Sequence, residues 1–236
     1  MKKIKVLVLG AGSVGRAISE NLSHKYSITA VDISKDNLNY ISGKNICKIH
    51  GNPLSEKDLS DIAGDHRFAI NCLPGNIGFK MSQKLLERGI NVFDVAFSDK
   101  DPFLLKNTAE ENNVFIIPDC GIAPGFSNIT FGYLNSFFER TEFLKCFVGG
   151  LPFEKEPPFE YKAPFSPTDV IEEYVRPARY IEKGKIRRVP ALSGEEIISF
   201  SETGPLEGFF TDGLRTLLDT INDVPLMIEK TLRYPG

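Results

Sequence analysis

From residue 4 to residue 117, short apolar runs alternate with helical patterns. The runs cover residues 4–9 (IKVLVL), 27–32 (SITAVD), 46–49 (ICKI), 68–73 (FAINCL), 90–95 (INVFDV) and 114–117 (VFII). None shows the clean apolar–polar alternation of a half-exposed strand, so each predicts a strand covered on both faces. Helical patterns at 13–22, 34–41, 55–62, 77–88 and 102–112 separate them. Strand–helix repetition at this spacing predicts an α/β fold, a six-stranded doubly wound parallel sheet of the Rossmann type.

Past residue 125 the pattern changes. A helix is expected at 126–138 and a strand at 142–149, followed by the proline-rich LPFEKEPPFEYKAPFSP at 151–167. Another helix should begin near Ser166, and RYIE and KIRRV flank Lys183-Gly184 as a hairpin would. This half reads as a mixed α+β substrate domain. The division expected is a dinucleotide-binding domain over 1–120 and a partial substrate domain over 121–236. The closing LRYPG has no polar tail, which suggests a domain cut short.

Composition narrows the partners. With 236 residues, 42% hydrophobic and 25% charged, the chain has the balance of a globular protein with a real core. A net charge of −3 and the absence of any long Lys/Arg run argue against nucleic acid. The apolar runs are too short to cross a bilayer, and the glycines after the N-terminal Met-Lys-Lys-Ile-Lys interrupt any signal-peptide core, so a cytoplasmic location is expected. Cys47, Cys72, Cys120 and Cys146 are scattered, and His24, His50 and His66 lack ligand spacing. Neither a disulfide framework nor a metal is expected.

The first chemical signal is G-x-G-x-x-G at Gly10, Gly12 and Gly15, between an apolar run and an amphipathic helix. The glycines permit a tight turn, close approach of backbone to a pyrophosphate, and close helix–strand packing. The second run ends at Asp32, about twenty residues beyond the loop, where a carboxylate accepts hydrogen bonds from an adenosine ribose. Its negative charge opposes a 2′-phosphate, which favours NAD over NADP, although Lys35 keeps NADP in play. Candidate cofactor contacts are Gly10, Gly12, Ser13, Val14, Gly15 and Asp32, with Cys72, Leu73 and Pro74 at the end of a later strand.

Ligands of open parallel sheets collect beyond the carboxyl ends of the strands. Three strands end there in NCLPG, DVAF and DCG, which makes Asp94, Asp119 and Cys120 the catalytic candidates. Two readings stand side by side: a reactive group, or a turn-forming aspartate and a small buried cysteine. The second half carries charges of both signs in SPTDVIEEYVRPAR and TDGLRTL. Asp169 and Glu173 share one helix face, Glu172 turns away, and Arg176 and Arg179 are expected near the helix end, where cations offset its dipole. Such a pattern suits a solvated face or a clamp for a zwitterion, with Glu172, Tyr174, Arg176, Arg179, Asp212 and Arg215 as candidate substrate contacts.

In order along the chain, GAGSVGRAI, CLPGNIGF, NVFDVAFS, PDCGIAPGFSN, VGGLP, SPTDVIEEYVRPAR, FFTDGLRTLL and EKTLRYPG resemble the saccharopine dehydrogenase-like family, and within it the L-lysine 6-dehydrogenase branch. The resemblance implies a Rossmann domain, a mixed substrate domain and a homodimer or larger homo-oligomer. It also implies NAD-dependent oxidative deamination of the ε-amino group of an amino-acid substrate, L-lysine, to a semialdehyde that cyclises to a piperideine carboxylate. Asp94 or Asp119 would steady the ammonium, and Arg176, Arg179 and Arg215 would meet the α-carboxylate. Members of the family extend beyond the equivalent of LRYPG, so a shortened substrate domain is expected here. The alternatives are an enzyme acting on saccharopine or a carboxylated polyamine, and a non-catalytic dinucleotide-binding protein.

Overall fold

The computed structural model describes residues 3–155, 157–163 and 165–236. Met1 and Lys2 of the charged N-terminal stretch, and Glu156 and Pro164 of the proline-rich run, lie outside the described residues. The chain divides into two compact units, Met1–Cys120 and Gly121–Gly236.

The first unit alternates β1 (Lys5–Leu9), α1 (Ser13–Leu22), β2 (Ser27–Asp32), α2 (Lys35–Tyr40), β3 (Ile46–His50), α3 (Glu56–Ala63), β4 (Phe68–Asn71), α4 (Gly75–Leu86), β5 (Asn91–Asp94), a 3₁₀ turn (Pro102–Leu105), α5 (Lys106–Glu111) and β6 (Ile116–Ile117). All six strands run parallel in the order β3-β2-β1-β4-β5-β6, the doubly wound arrangement expected. Strand alternation splits the core into two layers. Leu7, Leu9, Val31 and Val92 pack with Leu59, Met81 and Leu85 on one face. Val6, Val8, Ile28 and Ala30 pack with Leu38, Ile41 and Ile18 on the other. Ser34 and Ser55 accept the N–H of Asn37 and Asp58 and so fix where α2 and α3 start.

In the second unit follow α6 (Phe126–Asn135), β7 (Leu144–Val148), α7 (Pro167–Val175), β8 (Ala178–Glu182), β9 (Lys185–Val189), β10 (Glu196–Phe200), β11 (Gly204–Phe210), α8 (Leu217–Thr220) and β12 (Leu226–Arg233). The sheet order is β10-β11-β12-β8-β9, with β7 pairing β12 in parallel and the other pairs antiparallel. Lys183 and Gly184 both have positive φ, 52° and 70°, so the expected hairpin closes through a turn that suits the strand twist. Its core gathers Leu144, Ile181, Leu214, Leu217, Val224 and Met227. In the parallel sheet the expected cover on both faces fails for β3 and β6, which lie at the two edges and bury none of their residues. Two expectations for the second unit also need correction. The helix expected to reach 138 ends at Asn135, and Arg179 lies in β8 rather than near the end of α7. Pro177 causes the second difference: the residue before a proline avoids the helical region, and Arg176 is already extended, with ψ 125°.

Candidate functional site

The carboxyl edge of the parallel sheet continues one rung past its strands. Gly10 N–H donates to Val31 O at 2.9 Å, Cys72 N–H to Leu9 O at 2.8 Å, Val95 N–H to Asn71 O at 2.9 Å and Cys120 N–H to Asp94 O at 2.8 Å. These bonds hold the glycine loop, the Cys72 turn, the segment after Asp94 and the Asp119-Cys120 pair along one edge. The parallel register alone brings residues far apart in sequence together there.

At the glycine loop each position has its own steric reason. A Cβ on Gly10, whose φ is 91°, would meet Cys72 O at 2.7 Å, and one on Gly15 would meet Gly10 O at 1.9 Å. Nothing lies within 4 Å of the Cβ position of Gly12, which leaves its surroundings open for a ligand. The N-terminus of α1, with Ser13 and Val14 exposed, has neither a side-chain cap nor an acidic residue in its first turn, so its N–H groups can meet an anion. Buried Asp32 accepts from Ala11 N–H at 2.6 Å, from Ser34 N–H at 2.7 Å and from Asn37 Nδ2 at 3.3 Å. Three bonds on a carboxylate with about four acceptor positions leave capacity for a ribose hydroxyl. The open Gly12, the uncapped helix and this carboxylate together fit a dinucleotide.

Further along the edge, Asp94 is buried and oriented from behind. Ser82 Oγ donates to its Oδ2 at 2.7 Å and Ala96 N–H to its Oδ1 at 2.9 Å, while Asn71 Nδ2 donates to Ser82 Oγ at 2.9 Å. Sequence reading missed Ser82; the available signal was a small polar residue on the apolar face of α4. Asp119 is buried, with a φ of 55° that aspartate tolerates better than bulkier residues. The Cys120 thiol donates to Ile117 O at 3.2 Å. Burial first, and then the Asp94 charge, push Cys72 up to about 12 and Cys120 up to about 11, so both are neutral thiols at physiological pH. Leu73 N–H is turned toward Asn71 Oδ1 at 3.3 Å, and Pro74 precedes α4.

In the second unit, GIAPG closes a tight turn. A Cβ on Gly125 would fall 2.1 Å from Gly121 O, and Phe126 N–H donates to that oxygen at 2.9 Å. The glycines of the motif therefore serve the turn that starts α6. Of the predicted substrate contacts, Arg179 and Asp212 come together. The Arg179 fork donates through Nε to Oδ1 at 2.9 Å and through Nη2 to Oδ2 at 2.8 Å of the buried Asp212. Arg176 Nη2 stands 3.9 Å from Glu172 Oε2. Tyr174 accepts from Arg233 Nε at 2.7 Å, and burial pushes its phenol up. Arg215 is buried with a φ of 46°. Glu229, Thr211 and Thr231, which sequence reading passed over, form a buried polar cluster. The signal was a carboxylate and a threonine two residues apart, and so on one face of a strand.

Residues 6–117 match the family model of the saccharopine dehydrogenase NADP binding domain, and residues 121–236 match the saccharopine dehydrogenase C-terminal domain. The chain belongs to the saccharopine dehydrogenase-like family. Bovine mitochondrial alpha-aminoadipic semialdehyde synthase is 26% identical over 256 residues, covering 99% of this chain and 27% of the relative. The mouse protein of that name is 25% identical over the same shares. The chain thus spans about a quarter of these relatives. Apo saccharopine dehydrogenase (L-Glu forming) from Saccharomyces cerevisiae shares the fold at a TM-score of 0.77 and 18% identity, over 99% of this chain and 56% of that one. A Clostridium difficile dehydrogenase matches at a TM-score of 0.53 and 13% identity, over 100% and 72%. Among the described residues no helix is long and apolar enough to cross a membrane, and no group of three His, Cys, Asp or Glu could hold a metal.

Proposed function

We propose that the chain is an NAD-dependent dehydrogenase that removes a hydride from the carbon bearing the ε-amino group of L-lysine; water adds to the resulting iminium, ammonia leaves, and the semialdehyde so formed cyclises to a piperideine carboxylate. The observation that carries this reading is the ordered carboxyl edge, where Asp32, Cys72, Asp94 and Cys120 take part in rungs that extend the parallel sheet and Asp119 precedes Cys120. A nicotinamide dinucleotide bound there supplies the hydride acceptor. The amine must first lose a proton, since its ordinary pKa is about 10.4. Asp119 is the proposed group that steadies the ammonium and the iminium that follows it. Asp94, whose two oxygens accept from Ser82 and Ala96, acts as a positioning residue. The neutral thiols of Cys72 and Cys120 serve as walls rather than nucleophiles. Arg176 and Arg215 remain the proposed partners of a substrate carboxylate. The Arg179 fork is committed to Asp212.

The Asp32 charge supports NAD, because a 2′-phosphate beside this buried carboxylate would be repelled. A second reading, a secondary amine such as saccharopine, draws on the names of the bovine and yeast relatives. The purified chain is to be assayed for reduced nicotinamide with lysine and with saccharopine, using NAD and NADP in turn. Turnover with lysine and NAD supports the first reading, turnover with saccharopine alone replaces it with the second, and dinucleotide binding without turnover leaves a binding protein. Asp119→Asn should lower kcat by at least about a hundredfold while leaving the NAD affinity within about twofold; an unchanged kcat removes Asp119 from the mechanism. A homodimer is proposed with this activity, and light scattering of the purified chain tests it.

A further inference from the structure

Four side chains of the second unit are linked in a row across β12, the loop after β11, and α7. Thr211 Oγ1 lies 2.7 Å from Glu229 Oε2, Thr211 Oγ1 lies 2.8 Å from Thr231 Oγ1, and Thr231 Oγ1 lies 2.5 Å from Glu173 Oε1. All three separations are hydrogen-bond lengths between oxygens. Each threonine hydroxyl carries a single proton. If both glutamates are ionised, Thr211 must give its proton to Glu229 and Thr231 must give its own to Glu173. The two threonine oxygens would then face each other across 2.8 Å with no proton between them. One additional proton removes the conflict.

We propose that Glu229, Thr211, Thr231 and Glu173 form a proton relay that holds one proton on its two carboxylates at neutral pH. In the resting arrangement the proton sits on Glu229 Oε2 and is donated to Thr211. Thr211 donates to Thr231, and Thr231 donates to ionised Glu173. When the Glu229 O–H bond breaks, its proton joins Thr211 Oγ1, the Thr211 proton joins Thr231 Oγ1, and the Thr231 proton joins Glu173 Oε1. Three O–H bonds break and three form, and the negative charge moves from Glu173 to Glu229.

The surroundings decide which end keeps the proton. Thr211, Thr231 and Glu229 are each no more than 3% exposed, whereas the Glu173 side chain is 17% exposed. From β12, Arg233 Nη2 stands 3.8 Å from Glu173 Oε2 and favours charge there. Tyr161 and Tyr174 flank that guanidinium at 4.4 Å and 5.5 Å. Facing Glu229 are Cys146 of β7, its partner in the strand register, and Asp212, whose charge is taken up by Arg179 of β8. The Thr211 hydroxyl and Gly213 N–H, which donates to Glu229 Oε2 at 3.1 Å, both favour charge on Glu229. Burial, followed by the neighbouring Glu173 and Asp212 charges, pushes Glu229 up to about 8, in agreement with the proton count. The motif TDGLRTL thus supplies, through Thr211, the link between a sealed acid and a partly open one.

The experiment is NMR of the full chain labelled at its glutamate carboxyl carbons and titrated across neutral pH. One carboxyl group, read through its carbon shift, should remain protonated at neutral pH and titrate near 8, and its signal should be missing from Glu229→Gln. Thr211→Ser should leave that midpoint in place, and Thr211→Val, which deletes the hydroxyl, should move it to higher pH. The group's folded pKa lies above its unfolded value of 4.5, so stability falls as pH rises from there to about 8 and then levels. The urea midpoint of Glu229→Gln should therefore draw ahead of wild type over that interval. Glutamate carbons all ionised well below neutrality would overturn the proton count, and an unmoved midpoint in Thr211→Val would overturn the relay. If Glu229→Gln does not fold, the wild-type titration and the threonine pair still decide.

Discussion

The two sheets handle polar groups in opposite ways. In the parallel sheet, β1 is apolar from Val6 to Leu9, and the groups able to do chemistry stand at or beyond the strand ends, in Asp32, Asn71, Asp94 and Asp119. In the mixed sheet, β12 places Glu229, Lys230 and Thr231 in mid-strand, all buried. The first arrangement gathers polar groups at the edge where open parallel sheets bind their ligands. The second must satisfy polar groups internally, and it does so by pairing Glu229 with Thr211, and Lys230 with Gly194 O and Glu196, each 2.6 Å from its Nζ. The apolar balance differs as well. Each face of the parallel sheet is covered by helices. By contrast α6 buries none of its residues and leaves Phe126, Ile129 and Tyr133 at least 64% exposed. Apolar pattern explains the first unit well, and hydrogen-bond accounting explains the second.

That contrast can be broken at three points. The largest effect is expected in the parallel unit from Gly15→Ala, which sets a Cβ 1.9 Å from Gly10 O, a backbone atom unable to rotate away. It should cost about 3 kcal/mol in urea unfolding and abolish dinucleotide binding in a fluorescence titration. A neutral result would mean that the glycine loop is loosely packed. Next comes Arg179→Met in the mixed unit, which takes the guanidinium fork from buried Asp212 and leaves it the backbone N–H of residue 179, now 3.1 Å from Oδ1. With the Arg179 side chain 30% exposed, water offsets part of the penalty, leaving about 2 kcal/mol in the same measurement. A variant as stable as wild type would show that Asp212 finds other donors. The smallest is Ser166→Ala, which removes the hydroxyl that accepts Asp169 N–H at the start of α7. It should cost about 1 kcal/mol, and hydrogen exchange should quicken in the first turn of α7 while the parallel unit is unaffected.

How much could be read beforehand differs between the two units for the same reason. Asp32 was recognisable because a glycine loop, a strand and a helix precede it at fixed spacing, and its bond to Ala11 N–H is local to that βαβ unit. Asp94 was visible as a strand-end acid, but its support by Ser82 and Asn71 depends on α4 packing back onto the sheet. Arg179 and Asp212 were both named as substrate contacts. Their bond to each other, across 33 residues of sequence, could not be seen in either motif.

What the sequence by itself determined is the parallel unit: strand and helix order, sheet type, glycine loop and the acid at the end of β2 follow from periodicity and short-range turn chemistry, which act between near neighbours. The tertiary structure alone decided which charges in the second unit meet. Glu229, Thr211 and Glu173 are brought together by strand register and by α7 lying over β12, and a hydrogen bond needs oxygen atoms within about 3 Å, a condition that spacing along a chain does not specify.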